Sequence, residues 1–209
     1  MIRPYICLYT KMGKTLYIMA GCNGAGKTTA SYSLLPEKYK CKEFVNSDEI
    51  ARGLSPFNPE TVTMQAGKIM LSRIDELLNG SKSFAVETTL SSRYYVNVIK
   101  RAQENDFDVL LLFFWLHSPE MAIRRVEQRV AEGGHSVPVS IIKRRYYSGI
   151  NNFFKLYMNK VDYWSIIDNS LSPMKIVAVG NGEQVFTIYY PELYNQIKSY
   201  VGERNRKKN

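Results

Sequence analysis

The chain has 209 residues, enough for one domain that buries its own core without disulfide or metal staples. A hydrophobic share of 45% against 22% charged excludes a wholly disordered chain, and the longest apolar run, Val109–Leu116, is too short to span a bilayer. Three cysteines without CxxC spacing and two histidines argue against a zinc site or disulfide framework and suit a reducing cytoplasm. The net charge of +9 suits a polyanion partner without choosing among nucleotide, nucleic acid and acidic surface.

Residues 1–13 lack an apolar stretch of signal length and read as a poorly ordered extension, with Met12 a second candidate start; a single domain then covers 14–209. In chain order, strands are predicted at 15–20, 43–46, 83–87, 108–116 and 163–168, with helices near 27–35, 60–79, 92–105 and 119–132. Continuous apolar strands alternating with helices predict an α/β fold, a mostly parallel sheet with helices on both faces, of P-loop kinase type. The turn-forming stretch 133–138 (GGHSVP) and an aromatic, Arg-rich helix at 139–158 predict a helical lid over about 119–158. Segments 174–179 and 184–189 flank Asn181-Gly182 and predict a small C-terminal hairpin, followed by a helix at 191–201. The aromatics Tyr146, Tyr147, Phe153, Phe154, Tyr157, Tyr163 and Trp164 fall at spacings more typical of core than of base stacking.

Gly21-Cys22-Asn23-Gly24-Ala25-Gly26-Lys27-Thr28 fits G-x-x-x-x-G-K-[ST], with a strand entering and a helix leaving. Glycines let backbone N–H groups curl around phosphates, and the helix N-terminus adds positive potential. ATP with Mg²⁺ is the expected ligand: Gly21, Asn23, Gly24, Ala25, Gly26 and Thr29 form the cradle, Lys27 reaches the β- and γ-phosphates, and the Thr28 hydroxyl meets the metal.

Asn46-Ser47-Asp48-Glu49 closes the second strand, which is expected to lie adjacent to the P-loop strand. There Asp48 suits a base for an attacking hydroxyl or a water-mediated Mg²⁺ contact, against the plainer possibility of a helix cap. Glu87-Thr88-Thr89 closes the third strand, where a buried carboxylate needs substrate, metal or Arg. Arg125 and Arg129 lie i, i+4 on one helix and Arg144-Arg145 on the next, positioned to spread charge over a transferring phosphoryl group or merely to form ion pairs, as Glu120 is expected to do with Arg124 at i, i+4. His135 sits among turn-formers, within reach of phosphate, and His117 reads as a loop or core residue.

Taken in order, GCNGAGKTT, FVNSDEIA, FAVETTL, the RV-AEGGH-VP segment with RRY, and IIDNS resemble the zeta toxin family of P-loop kinases in its compact chromosomal branch, over roughly 15–170. The resemblance implies phosphoryl transfer to a hydroxyl of UDP-N-acetylglucosamine, with Asp48 as base, Glu87 and Thr89 contacting substrate, and Arg129 with Arg144 or Arg145 clamping phosphates from the lid. It also implies Asp168 near the nucleotide pocket and an antitoxin partner. The segment Glu49-Ile50-Ala51-Arg52-Gly53 departs from the family pattern around the sugar-nucleotide site.

The reading is therefore an ATP-dependent kinase for a small, nucleotide-linked hydroxyl acceptor. Two rivals remain: a nucleotide-dependent switch that needs no base, and a nucleic-acid 5′-end kinase, which the scattered basic residues disfavour.

Overall fold

The computed structural model describes residues 13–134 and 136–202. Most of the expected N-terminal extension, His135 and the basic tail from 203 onward lie outside the described residues.

β1 (Thr15–Gly21) is buried along its whole length, and β4 (Asp108–Trp115) at every residue but the first; these two apolar strands lie side by side at the centre. With β2 (Glu43–Val45), β3 (Phe84–Thr88), β5 (Tyr163–Asp168), β6 (Lys175–Asn181) and β7 (Gln184–Ile188) they form one sheet in the order β2-β3-β1-β4-β5-β6-β7. The first five strands are parallel; β6 and β7 add antiparallel at one edge. The sheet is thus the mostly parallel α/β platform that the sequence predicts. The connection from β1 to β2 runs opposite to those from β2 to β3 and β3 to β4. Right-handed crossovers therefore put α1 (Lys27–Glu37) on the other face from α3 (Thr63–Leu78) and α4 (Tyr95–Glu104). The reversal beside β1 opens a crevice at the strands' carboxyl ends.

Local chemistry shifts three of the expected boundaries. Asn46 accepts from the Asp48 N–H and starts a separate helix, α2 (Ser47–Leu54); the helix expected at 60–79 opens with a 3₁₀ turn at Pro59–Val62 before α3. The helix expected at 139–158 divides into α6 (Val139–Asn152) and a π-turn at Phe153–Tyr157. In the hairpin, Asn181 pairs with Gln184, so the two-residue turn is Gly182-Glu183, with Gly182 at φ 52°, one residue beyond the Asn-Gly expectation.

The aromatic helix is core. Tyr146, Phe153, Tyr157 and Trp164 are buried, and Tyr147, Phe154 and Tyr163 pack against them partly exposed. Phe153 meets Phe113 and Trp164 at centroid distances of 4.9 and 5.8 Å, and a buried ring of this kind contributes about 1.5–3 kcal/mol. Within the expected lid, α5 (Pro119–Ala131) buries Pro119, Ala122 and Val126, and α6 buries Ile142, Tyr146 and Ile150.

α6 and the π-turn after it also grip the loop after β3. The Asn152 side chain donates to the Leu90 carbonyl at 2.8 Å, and the Tyr157 hydroxyl donates to that of Ser92 at 2.6 Å. Gly149 approaches Thr89 so closely that a Cβ would stand 2.8 Å from its carbonyl oxygen.

Candidate active site

The loop between β1 and α1 wraps against α5 and the end of β5. Two glycines permit this: at Gly24, φ 78°, a Cβ would lie 2.6 Å from the Ala122 carbonyl oxygen, and at Gly26, φ 77°, one would lie 2.4 Å from Asn169 Nδ2. Asn169 donates to the Ala25 carbonyl at 2.8 Å and so pins the loop from outside. No acid sits in the first turn of α1 and no side chain caps it, which leaves its N–H groups to an anion.

Lys27, 6% exposed, donates to the Cys22 carbonyl at 3.0 Å and stands 3.5 Å from Glu87 Oε1. The Thr28 hydroxyl donates to Glu87 Oε2 at 2.8 Å. Asn46 Nδ2 donates to the same oxygen at 2.9 Å, while its Oδ1 takes the Asp48 N–H at 2.9 Å. One carboxylate thus joins the phosphate lysine, the metal hydroxyl and the cap of the helix bearing Asp48. Burial pushes the Cys22 thiol up to about 11, despite the opposing pull of Lys27, so it stays protonated and suits packing rather than redox control.

Three clefts meet here. One of about 460 Å³ runs from Gly24, Gly26 and Thr28 past Arg125 to Asn169 and Leu171, and suits the nucleotide. A second, about 420 Å³, lies between Thr28, Thr29 and the connection after α5, with Arg129 and Arg145 in its wall. The third, about 270 Å³, opens beside Glu87, Thr89, Ser92 and Tyr94. Asp48 lines all three. The strand before it is separated from β1 by β3, so Asp48 reaches the site through the first turn of α2 and not from a strand adjacent to the P-loop strand, as the sequence suggested. Asn46 is the cap, so capping does not account for the Asp48 carboxylate.

Arg145 donates to the Asn23 side chain at 3.1 Å. Burial draws its pKa down, the negative charge of Asp48 opposes that fall, and neighbouring Arg144 adds to it. Arg144 itself is exposed and lines none of the three clefts. The two consecutive arginines, interchangeable in the sequence, are separated by the helix turn. Thr89 shares a 2.8 Å hydrogen bond with Ser91 on the wall of the third cleft.

Sequence reasoning passed over Asn46 and Asn169. The first was legible as a cap-type residue between a strand and a helix, whereas only the tertiary fold brings the second to the phosphate loop. Arg125, grouped with the lid arginines, donates to the Ser170 carbonyl at 2.9 Å and so stands at the nucleotide cleft. Asp168, 5% exposed, accepts from the Ser170 N–H at 2.9 Å and pairs with His117 at 3.2 Å; it shapes this wall from behind. Glu120 meets Lys143 of α6 at 3.4 Å, an exposed pair between helices in place of the one expected with Arg124.

The donor set fits a hard divalent cation bound mainly through nucleotide phosphates and water. Hydroxyl and carboxylate oxygens converge at Thr28, and among the described residues no cluster of three or more His, Cys, Asp or Glu offers an all-protein cage.

A sequence model of the zeta toxin family, described as "Zeta toxin", matches residues 8–170. An uncharacterized protein of Haemophilus influenzae is 29% identical over 140 residues, covering 66% of this chain and 96% of that protein. The crystal structure of AvrRxo1-ORF1:AvrRxo1-ORF2 with sulphate ions superposes with a TM-score of 0.71 at 19% identity over 90% of this chain; the match takes in 64% of that longer chain. The PezAT chromosomal toxin–antitoxin system of Streptococcus pneumoniae gives 0.63 at 14% identity, over 92% of this chain and 80% of that one. No helix among the described residues is long and apolar enough to cross a membrane.

Proposed function

Because the chain belongs to the zeta toxin family and folds as its P-loop kinases do, we propose that it transfers the γ-phosphoryl group of ATP to a hydroxyl of a small, nucleotide-linked acceptor, UDP-N-acetylglucosamine being the first candidate. The observation that carries this is the position of Asp48, whose side chain lines the nucleotide, lid and acceptor clefts together.

In this reading Gly21, Asn23, Gly24, Ala25, Gly26 and Thr29 bind the phosphates, Lys27 neutralises the β- and γ-oxygens, and Thr28 is a ligand of Mg²⁺, which supplies charge neutralisation. Asp48 takes the proton of the acceptor hydroxyl. Arg145, with Arg129 opposite, spreads charge over the phosphoryl oxygens, and a guanidinium holds two oxygens where an ammonium meets one. Thr89 orients the acceptor. His135, among the turn-formers after α5, contacts substrate, and of the two arginines that the resemblance left open Arg145 takes the clamping role in place of Arg144. Two structural neighbours crystallised or characterised as two-protein assemblies support an antitoxin partner, tested by co-purification.

Incubation with γ-labelled ATP, Mg²⁺ and a panel of nucleotide sugars, nucleosides and short oligonucleotides tests the reading. Label on a nucleotide sugar or nucleoside supports it; label on oligonucleotide ends alone assigns a 5′-end kinase, and ATP binding with no transfer assigns a switch.

A further inference from the structure

One face of α6 touches both halves of the site. Arg145, Gly149 and Asn152 follow one another at helical spacing and so form a single stripe. Arg145 donates to Asn23 of the phosphate loop at 3.1 Å, Gly149 lies against the Thr89 carbonyl, and Asn152 Nδ2 donates to the Leu90 carbonyl at 2.8 Å. The π-turn that follows carries Tyr157, whose hydroxyl donates to the Ser92 carbonyl at 2.6 Å. On a regular α-helix Asn152 and Tyr157, five residues apart, would point about 140° apart. The wider π-turn, closed by the Met158 N–H on the Phe153 carbonyl at 2.8 Å, brings both onto the loop after β3.

The loop they hold has a shape that its own residues disfavour. Leu90, fully buried, sits at φ 57°, in the left-handed region that a branched side chain rarely adopts. Its N–H meets the Thr88 hydroxyl at 3.0 Å, and Thr89 pairs with Ser91, so the turn is tight on its inner side. A backbone of this kind persists where its surroundings impose it, and such residues cluster at sites of function. Here the surroundings are the Asn152 amide and the Tyr157 hydroxyl, one on each side of the turn's far end. The same turn places Thr89 and Ser92 in the wall of the third cleft, just past Glu87, which the resemblance also sets against the acceptor.

We propose that Asn152 and Tyr157 are positioning residues for phosphoryl transfer: by imposing the turn at Leu90 they fix Thr89 and Ser92 at a set distance from Arg145, so that one helix registers the acceptor against the phosphoryl clamp. This rests on the kinase reading above and adds to it two residues that line none of the three clefts. Phosphoryl transfer is mostly a matter of placement, and a displacement of about 1 Å between reacting groups costs about 10²-fold in rate. Neither residue touches the phosphate loop, so ATP binding does not depend on them.

The test compares wild type with Asn152→Ala, Asn152→Gln and Tyr157→Phe, assayed well below each melting temperature with γ-labelled ATP, Mg²⁺ and UDP-N-acetylglucosamine, or whichever member of the panel above the wild type labels. Asn152→Ala and Tyr157→Phe should each lower kcat/KM for the acceptor by about ten- to a hundredfold, while KM for ATP stays within about twofold. Asn152→Gln keeps the amide donor and should recover part of the loss. Tyr157→Phe keeps its ring in the core and carries the test if the variants at 152 do not fold. Amide hydrogen exchange read by mass spectrometry should quicken at 88–92 in the Ala and Phe variants and stay unchanged at 21–28. A lowered melting temperature with acceptor kinetics unchanged overturns the proposal and leaves the two bonds to stability alone; so does a loss shared equally by ATP and acceptor, or unchanged exchange at 88–92. Absence of transfer to every acceptor by the wild type would instead remove the kinase reading, with the hold on the loop still decided by exchange.

Discussion

The phosphate cradle and the acceptor side of this molecule are built by different means. The cradle is a backbone object: left-handed glycines, free α1 N–H groups and two buried side chains, Asn23 and Lys27, each 6% exposed. The side assigned to the acceptor is an assembly of single side chains from α2, β3 and α6, with Tyr94, 39% exposed, in its wall. A backbone object tolerates few residues at each position and so leaves a written motif. An assembly of side chains leaves scattered letters that acquire meaning only through the fold.

That contrast predicts a gradient of effects. Lys27→Ala strikes the cradle and should lower transfer by about 10³–10⁵-fold, the span seen when a charge on the phosphoryl group is removed. ATP affinity should fall with it, while the fold persists because Glu87 keeps Thr28 and Asn46 as donors. Transfer within a few-fold of wild type would break the comparison at its stronger end. Asp48→Asn should reduce turnover by about 10²–10⁴-fold, with ATP affinity and melting temperature unmoved, since Asn46 already caps the helix. Arg145→Lys should cost about ten- to a hundredfold in turnover and less in ATP affinity. Arg144→Ala, one residue away on the exposed face, should change turnover by no more than about fivefold. Equal losses at 144 and 145 would mean that the helix turn does not sort them. At the small end, with its pKa raised to about 11, Cys22 should resist iodoacetamide below about pH 9 in the native protein; alkylation is read on its peptide by mass spectrometry. Rapid modification at neutral pH would mean that the cradle opens.

The same contrast explains what could be read from the residues alone. The strands, the platform and the phosphate loop were legible because apolar runs and the Gly-x-x-x-x-Gly-Lys-Thr spacing encode backbone requirements directly. The separate helix α2 was missed, since a short element whose buried residues reduce to Ala51 offers little periodicity. The neighbour of β1 could not be read either, because strand order depends on crossovers: Asp48 was placed one strand too near, and Glu87 took the adjacent strand. Helix α6 was expected within a lid because a turn-forming stretch precedes it, while its aromatics were expected as core. The latter is what the fold shows: Tyr146 is buried, and Phe153 at the helix end packs beside Phe113 and Trp164.

The grip of α6 on the loop after β3 bears on how such an enzyme can change its substrate. The helix and the π-turn after it take hold of carbonyl oxygens, those of Leu90 and Ser92, and of the backbone at Thr89, while Thr89 and Ser92 still line the cleft. Any residue in these positions presents the same oxygen to the brace. Substitutions at 89 and 92 can therefore remodel the wall of the cleft without loosening the support beneath it. If this cleft takes the acceptor, as proposed, its specificity is separable from the stability of the scaffold.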